Sequence, residues 1–384
     1  MKLFDDLKKR FFPPVQHLIP GMYHYQAPPD STIPYRMHLR LEPDGHGMLI
    51  LNARTVLHLN HTAAEYAYHM LHQAPEKEVA ILMASRYRVP RQRALDDYRD
   101  FQERLQVFAT TPDLDPVTFL GFDRQDPYSV ETSAPNRLDC ALTYRQEPGT
   151  PGDVAPESKV KRELSTEEWK TILSKAWDAG IPHIIFTGGE PTLRSDLAEL
   201  IAHTQKSGQV SGLLTGGSRL ADHTYLDTLL QSGLDHVMIL LNIVDDGNWK
   251  ALEQVLAEDI HTTVHLTITR QNMSQIESIL DRLVNINVHS LSLSTDDPSC
   301  KDCLEKASQH AADHEMSLIW DIPVPYSSFN PVALELNESS EAVSGAGKAW
   351  LYIEPDGDVL PGQGINQILG NFLTDPWEMI WKKS

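Results

Sequence analysis

Cysteine is scarce in this chain, with three in 384 residues, and so small a number excludes a fold built on a disulfide framework. Positive charge is also in short supply, because 33 lysines and arginines stand against 53 aspartates and glutamates, for a formal net charge of -20. Nucleic-acid binding needs a basic surface, so we expect no nucleic-acid partner and favour a basic peptide or protein. No apolar run approaches the roughly 20 residues that cross a bilayer, and the first residues lack a signal-peptide pattern. We therefore expect a cytoplasmic protein with two or three hydrophobic cores.

The most informative segment runs from Phe186 to Leu193 and reads Phe-Thr-Gly-Gly-Glu-Pro-Thr-Leu. It follows a short apolar run and precedes a helical pattern. In sequence and context it resembles the second signature of radical S-adenosylmethionine (SAM) enzymes, whose glycine-glycine-glutamate segment meets the SAM amino group. The resemblance implies a set of residual SAM-pocket positions, namely Gly188, Gly189, Glu190, Pro191, Thr215 and Asn242.

In that family an upstream C-x-x-x-C-x-x-C signature holds a four-iron cluster, which in turn binds SAM. This chain has Gln146, Thr150 and Asp153 at those three places, and their oxygen and amide groups are poor substitutes for the thiolates that such clusters use. The nearby Cys140 lies inside an apolar run, and we interpret it as a buried core thiol. We therefore expect no iron-sulfur cluster and no cofactor, while residual SAM binding stays open.

Two further regions resemble domains found with radical SAM enzymes. Residues 35–109, and 51–64 most clearly, resemble a PqqD-like peptide-recognition domain, a small winged helix in which a leader peptide adds a strand to the hairpin edge beside the third helix. Residues 345–377 are similar to a SPASM or Twitch extension, in which relatives place cluster cysteines where this chain has Ser344 and Gly362. The alternative for the winged helix is a purely structural role against the next domain.

Alternating strand and helix signals from Leu138 to Ser294 indicate parallel βαβ units. With the resemblance, the expected fold class is α/β: a partial (β/α)6 radical SAM-type barrel with an N-terminal winged-helix (PqqD-like) domain and a C-terminal SPASM/Twitch-like extension. The expected boundaries are an amphipathic arm at 1–28, the PqqD-like domain at 29–110, a linker at 111–135, the barrel at 136–332 and the extension at 333–384. Residues 1–12 form an amphipathic pattern that could dock on a partner or a membrane surface, or pack on the chain itself.

A possible metal motif lies near the end of the barrel region. Cys300 and Cys303 form a C-x-x-C pair, and His310 and His314 form an H-x-x-x-H pair, which are both ligand spacings for zinc. On one helix Cys303 and His310 would be about 10 Å apart along the axis, so the four residues do not form a single site. Separate metal binding, a redox dithiol and ordinary surface positions all remain open.

The missing cluster cysteines lead us to expect a non-catalytic pseudoenzyme of the radical SAM superfamily. Its expected role is a scaffold or accessory subunit that binds a peptide, an active paralogue or a larger complex. The alternative is a radical SAM-type or SAM-dependent enzyme of ribosomal-peptide or cofactor maturation. Affinity for SAM separates the two hypotheses, because only the enzyme needs to retain it.

Overall fold

The computed structural model describes residues 18–28, 35–53, 55–111, 131–147, 159–295, 297–319 and 345–384. The chain divides into two compact units, residues 1–131 and 132–384. The predicted amphipathic segment 1–12 and the expected ligand positions Thr150, Asp153 and Ser344 lie outside the described residues. Among the described helices, none has both the length and the apolar character needed to cross a membrane.

The first unit contains an antiparallel sheet followed by helices. Its strands are β1 (Gly21–Gln26), β2 (Arg36–Leu41), β3 (Gly47–Leu51) and β4 (Thr55–Leu59), paired in chain order. The helices are α1 (His61–Leu71), α2 (Glu76–Tyr87) and α3 (Arg91–Thr110). Asn60 begins α1, because its side-chain oxygen accepts a hydrogen bond from the Ala63 amide at 2.9 Å, as an N-cap should. Residues 21–26, which the sequence analysis assigned to an N-terminal arm, form β1 of this sheet.

The second unit is built on alternating parallel strands and helices. The strands are β5 (Arg137–Thr143), β6 (His183–Gly188), β7 (Val210–Thr215), β8 (His236–Leu240), β9 (His261–Ile268), β10 (Ser290–Thr295) and β11 (Ser317–Leu318). The helices between them are α4 (Thr166–Asp178), α5 (Leu197–Ser207), α6 (His223–Gln231), α7 (Asp246–Leu256), α8 (Ile276–Asn285) and α9 (Lys301–Asp313). Each neighbouring pair from β5 to β11 is parallel. The expected α/β class with a parallel sheet is therefore confirmed.

The C-terminal residues extend the same sheet beyond β5. They form β12 (Trp350–Ile353), β13 (Asp358–Leu360), β14 (Gly370–Asn371) and α10 (Trp377–Trp381). The order across the sheet is β11-β10-β9-β8-β7-β6-β5-β12-β13-β14, with β12 parallel to β5 and β13 antiparallel to β12. A tight turn at 355–357, with Gly357 at a φ of 94°, closes the hairpin, as its turn residues indicate.

The two faces of the sheet differ in chemistry. One face packs against the helices in a large apolar core that includes Cys140, Phe186, Leu213 and Leu291. Alternate residues of the same strands point to the opposite face, which we call the inner face. The inner face is apolar at its centre, where Ile185, Leu214 and Met238 form a small cluster, and polar at its β9–β10 side.

Candidate functional site

The Gly-Gly-Glu segment lies at the carboxyl edge of the parallel sheet, where ligands bind in open α/β folds. The Gly189 amide donates to the Thr143 carbonyl at 2.6 Å, and the Glu190 amide donates to the Arg145 carbonyl at 2.8 Å. A Cβ on Gly188 would lie 2.2 Å from the Thr143 oxygen, and one on Gly189 would lie 2.3 Å from the Arg145 oxygen. Glycine is therefore required here, because the ends of β5 and β6 are in backbone contact.

The Glu190 carboxylate is buried, with 3% of the residue exposed. It accepts hydrogen bonds from four donors, which are the Thr192 amide and hydroxyl, the Thr215 hydroxyl and the Gly216 amide. A carboxylate has about four lone-pair sites, so these donors fill it. Burial raises the pKa of Glu190, and the hydrogen bonds oppose that rise. The side chain thus fixes the loop after β6 to the end of β7.

The ends of β7 and β8 are joined by a residue that the sequence analysis missed. Asn248, in the first turns of α7, donates from its side chain to the Gly216 carbonyl, and its side-chain oxygen accepts from the Asn242 amide at 2.9 Å. The Gly217 amide donates to the Thr215 hydroxyl at 2.9 Å. The structure therefore connects Glu190, Thr215 and Asn242 through one network. The available signal in the sequence was an asparagine at the start of a helical pattern, shortly after a strand pattern.

The loop after β5 reaches the same edge. Ser218 donates to the Glu147 carboxylate at 2.7 Å, which ties this loop to the one after β7. The side-chain nitrogen of Gln146 is buried, and it has no hydrogen-bond partner among the described residues. Pro191 begins a single turn of 3-10 helix and is buried. Gly362 lies apart from this network in the C-terminal hairpin region, where a Cβ would lie 3.2 Å from that of Ala346.

The inner face carries a second polar group that the sequence analysis also missed. His265 on β9 is 1% exposed, and its ring nitrogens lie 3.0 Å from the hydroxyls of Ser292 and Ser294 on β10. Burial lowers the pKa of His265 to about 3, so the imidazole is neutral at physiological pH. The alternation of Ser290, Ser292 and Ser294 with leucines was the signal for a polar inner face.

None of the three thiols belongs to the hydrogen-bond network of Glu190. Cys140 is fully buried in the core between sheet and helices, and burial raises its pKa well above the usual value. Cys300 is buried in a 3-10 turn after β10, and Cys303 is half-buried on α9 with a pKa raised by burial and by Cys300. The interpretation of Cys140 as a core thiol is confirmed. Among the described residues at the β5 edge there is no thiolate donor.

Comparison with known proteins finds a family similarity in the central part of the chain and a fold similarity over most of it. The family model of the radical SAM superfamily matches residues 140–283. Streptococcus suis SuiB bound to S-adenosylmethionine aligns at a TM-score of 0.58 and 16% identity, over 93% of this chain and 88% of that one. SuiB bound to the precursor peptide SuiA gives a TM-score of 0.58 at 16% identity, over 89% and 86% of the two chains. The structure of anSMEcpe with bound AdoMet gives 0.50 at 13% identity, over 64% and 80%.

These matches correct two of our expectations. A non-catalytic scaffold is contradicted, because the match to a superfamily of enzymes spans the sheet from β5 to α8 and is not confined to one motif. The expectation of no cofactor and no iron-sulfur cluster is also contradicted, because residues 140–283 match a superfamily defined by SAM and such a cluster. Both errors came from treating the missing cysteine spacing as decisive.

The residues at this edge differ in how well they suit SAM and an iron-sulfur cluster. Half-buried Gly216 leaves the edge without a side chain, and the buried amide nitrogen of Gln146 offers a donor, which is compatible with SAM. A cysteine-ligated cluster does not fit the described residues of this edge, whose donors are oxygens and amides. Residues 140–283 match the radical SAM superfamily, and the chain shares its fold with SuiB.

Proposed function

We propose that this chain is a SAM-dependent enzyme that modifies a peptide. The observation that carries the proposal is the fold match to SuiB, which spans 93% of this chain and therefore includes residues of both units. SuiB is solved with SAM and with a precursor peptide. A cytoplasmic location belongs to the same proposal.

The SAM site in this proposal is the glycine-rich carboxyl edge. Glycine lets a ligand approach the backbone closely, and a Cβ on Gly216 would meet only the Glu190 carboxylate, at 3.4 Å. The buried Gln146 amide would donate to the carboxylate of the cofactor. Glu190 serves to hold the segment in place, because its lone pairs are already filled by protein donors. SAM, when bound, supplies a transferable methyl or deoxyadenosyl group.

The substrate would lie against the inner face. Thr267 and Ser294 are half-buried at the carboxyl ends of β9 and β10, next to the neutral His265. Hydroxyls and a neutral imidazole can both donate and accept hydrogen bonds. These uncharged donors and acceptors can pair with a peptide backbone, which presents amides and carbonyls without net charge.

The first unit would hold the rest of the peptide. In the described residues β4 is an edge strand, paired only with β3. An extended peptide can add to such an edge, as the PqqD-like resemblance implies. We assign residues 29–110 to this role, 111–135 to a linker, 136–332 to the SAM-binding barrel and 333–384 to a SPASM/Twitch-like extension.

The enzyme proposal is tested by SAM binding to the full chain, prepared without oxygen and assayed for iron and sulfide. Equilibrium dialysis with radiolabelled SAM should show saturable binding. Gly216→Val should weaken it by about tenfold or more, a loss of about 1.4 kcal/mol, because the side chain fills the open edge. Thr228→Val, on the exposed face of α6, is the matched control. Absence of saturable SAM binding to the unmodified chain would overturn the proposal.

The peptide part needs a separate experiment. A displayed library of random peptides is selected on the full chain, and the bound peptide's footprint is mapped by hydrogen exchange. We expect added protection of the β4 amides at 55–59. Protection that excludes β4 would contradict docking on this edge while leaving SAM binding unaffected.

A further inference from the structure

The H-x-x-x-H pair gains a third metal-binding side chain from the neighbouring helix. The ligand atoms of Asp281, His310 and His314 all lie within 4.8 Å of one another. The His310 Nε2 is 3.0 Å from an Asp281 carboxylate oxygen, and the rings of the two histidines are 4.7 Å apart. The cluster is separate from the candidate SAM site, being on the helical side of the sheet.

Helix packing explains why these residues meet. Ala307 and Ala311 on α9 are buried in the core shared with Leu280 and Leu283 of α8, and such small side chains allow two helices to approach closely. Histidines four residues apart lie on one side of a helix, so His310 and the C-cap residue His314 are neighbours. Asp281 directly follows Leu280, which places its carboxylate at the margin of the same helix contact.

The distances suit zinc. Zinc binds nitrogen and oxygen at about 2.0–2.2 Å in tetrahedral geometry, so two ligand atoms of one ion are about 3.3 Å apart. The contact between His310 and Asp281 already has nearly that length. Two imidazoles and one carboxylate leave a fourth position for water, and imidazole favours zinc and its neighbours over magnesium or calcium.

Other clusters in the described residues are less suited. His223, Asp227 and Glu258 include one imidazole, and the remaining candidate consists of three carboxylates, Glu354, Asp356 and Asp358. Glu354 is already paired with Lys159 at 2.9 Å. Near the proposed site, the Arg282 guanidinium stacks over the Trp249 ring at 3.6 Å, so its charge is directed toward α7.

We propose that Asp281, His310 and His314 bind one zinc ion that holds α9 against α8. The ion would stabilise the sheet edge at β10 and β11, since α9 connects those two strands. The proposal is independent of SAM binding and of the peptide.

The test uses the full chain, freed of zinc by a chelator, with zinc chloride as the probe and a chromophoric chelator as competitor. We expect a zinc site that weakens by about tenfold or more in His310→Gln and in His314→Gln, as loss of one ligand requires. His223→Gln is the matched control and should bind like the unmodified chain. Circular dichroism verifies that each variant is folded.

A second readout separates this site from other zinc binding. Zinc should raise the melting temperature of the unmodified chain and of His223→Gln, and should leave that of His314→Gln unchanged. The assignment would be overturned if the unmodified chain and all three variants bound zinc with equal affinity, or if only His223→Gln lost affinity.

Discussion

At the scale of single residues, Glu190 makes protein contacts that its motif does not reveal. The sequence places it correctly after the second strand of the parallel sheet, because a buried strand followed by Gly-Gly-Glu-Pro is locally recognisable. Its expected partner was a cofactor ammonium. In the structure its carboxylate accepts from four protein donors. Thr192 in the same turn supplies two of them, and Thr215 of β7 and Gly216 supply one each. The contacts with Thr215 and Gly216 are not visible in any local pattern.

We predict that Glu190→Gln destabilises the second unit by about 1–3 kcal/mol, because an amide group would face buried N–H and O–H donors and leave some unpaired. Urea unfolding measures the change. Glu199→Gln is the control, since Glu199 is exposed in its pair with Lys170 and such pairs contribute at most about 1 kcal/mol. Equal effects of the two substitutions would show that the donors around Glu190 find other partners.

The glycines of the candidate site are predicted to differ in tolerance. Gly189→Ala should cost about 1–3 kcal/mol of unfolding free energy, because its Cβ would lie 2.3 Å from a backbone oxygen that cannot move aside freely. Gly216→Ala should change stability by about 0.5 kcal/mol or less, because the nearest atom is 3.4 Å away. Denaturant melts of both variants give the comparison, and a tolerant Gly189→Ala would contradict the close contact between β5 and β6.

At the scale of elements, strand pairing decides which polar side chains of β9 and β10 contact each other. Their alternation of polar and apolar residues was visible in the sequence, yet it did not say which residues meet. The parallel register sets His265 opposite Ser292, and the sheet order makes β10 the neighbour of β9. A shift of one residue would turn these side chains to the helix face.

The buried His265 predicts a pH dependence of stability. Its pKa is about 3 in the folded chain and about 6.5 when unfolded, so between those values the unfolded chain binds more protons. The contribution of His265 to the unfolding free energy is therefore fully present above about pH 6.5. It falls by about 1.4 kcal/mol per pH unit as the pH is lowered toward the folded-state pKa.

His265→Gln should remove this part of the slope between about pH 6 and 4.5. His236, whose pKa burial also lowers to about 3, and Glu190, whose raised pKa acts in the opposite direction, are present in both proteins and cancel. Ser292→Ala is the control, because it retains the histidine and should retain the slope. Unfolding free energies measured across this range test the prediction, and an unchanged slope in His265→Gln would refute a neutral buried imidazole.

At the scale of the whole molecule, the C-terminal segment is part of the second unit's sheet and not an appendage. The indole N–H of Trp381 donates to the Thr132 carbonyl at 2.8 Å, and that of Trp377 donates to Ser133 at 3.3 Å. Ile380 between them is fully buried. The last helix therefore contacts the residues that lead into β5.

We predict that deleting residues 376–384 destabilises the second unit by about 3 kcal/mol or more, because a buried isoleucine and two tryptophans lose their contacts. Deleting only residues 382–384, which are exposed, is the control and should change stability little. Thermal melts of the full chain and both deletions provide the measurement. A 376–384 deletion that melts like the full chain would show that α10 contributes no stability.

The sequence by itself determined the alternation of parallel strands and helices, the place of the Gly-Gly-Glu turn and the burial of Cys140, because these follow from hydrophobic periodicity and from backbone sterics within a few residues. It misled us on function, since an empty cysteine spacing is a local feature while the superfamily match extends from residue 140 to residue 283. Only the tertiary structure decided that Glu190 meets Thr215 and Gly216, that His265 meets two serines and that Asp281 joins His310 and His314. Those contacts join residues roughly 25 to 35 positions apart, and strand register and helix packing alone bring such residues together.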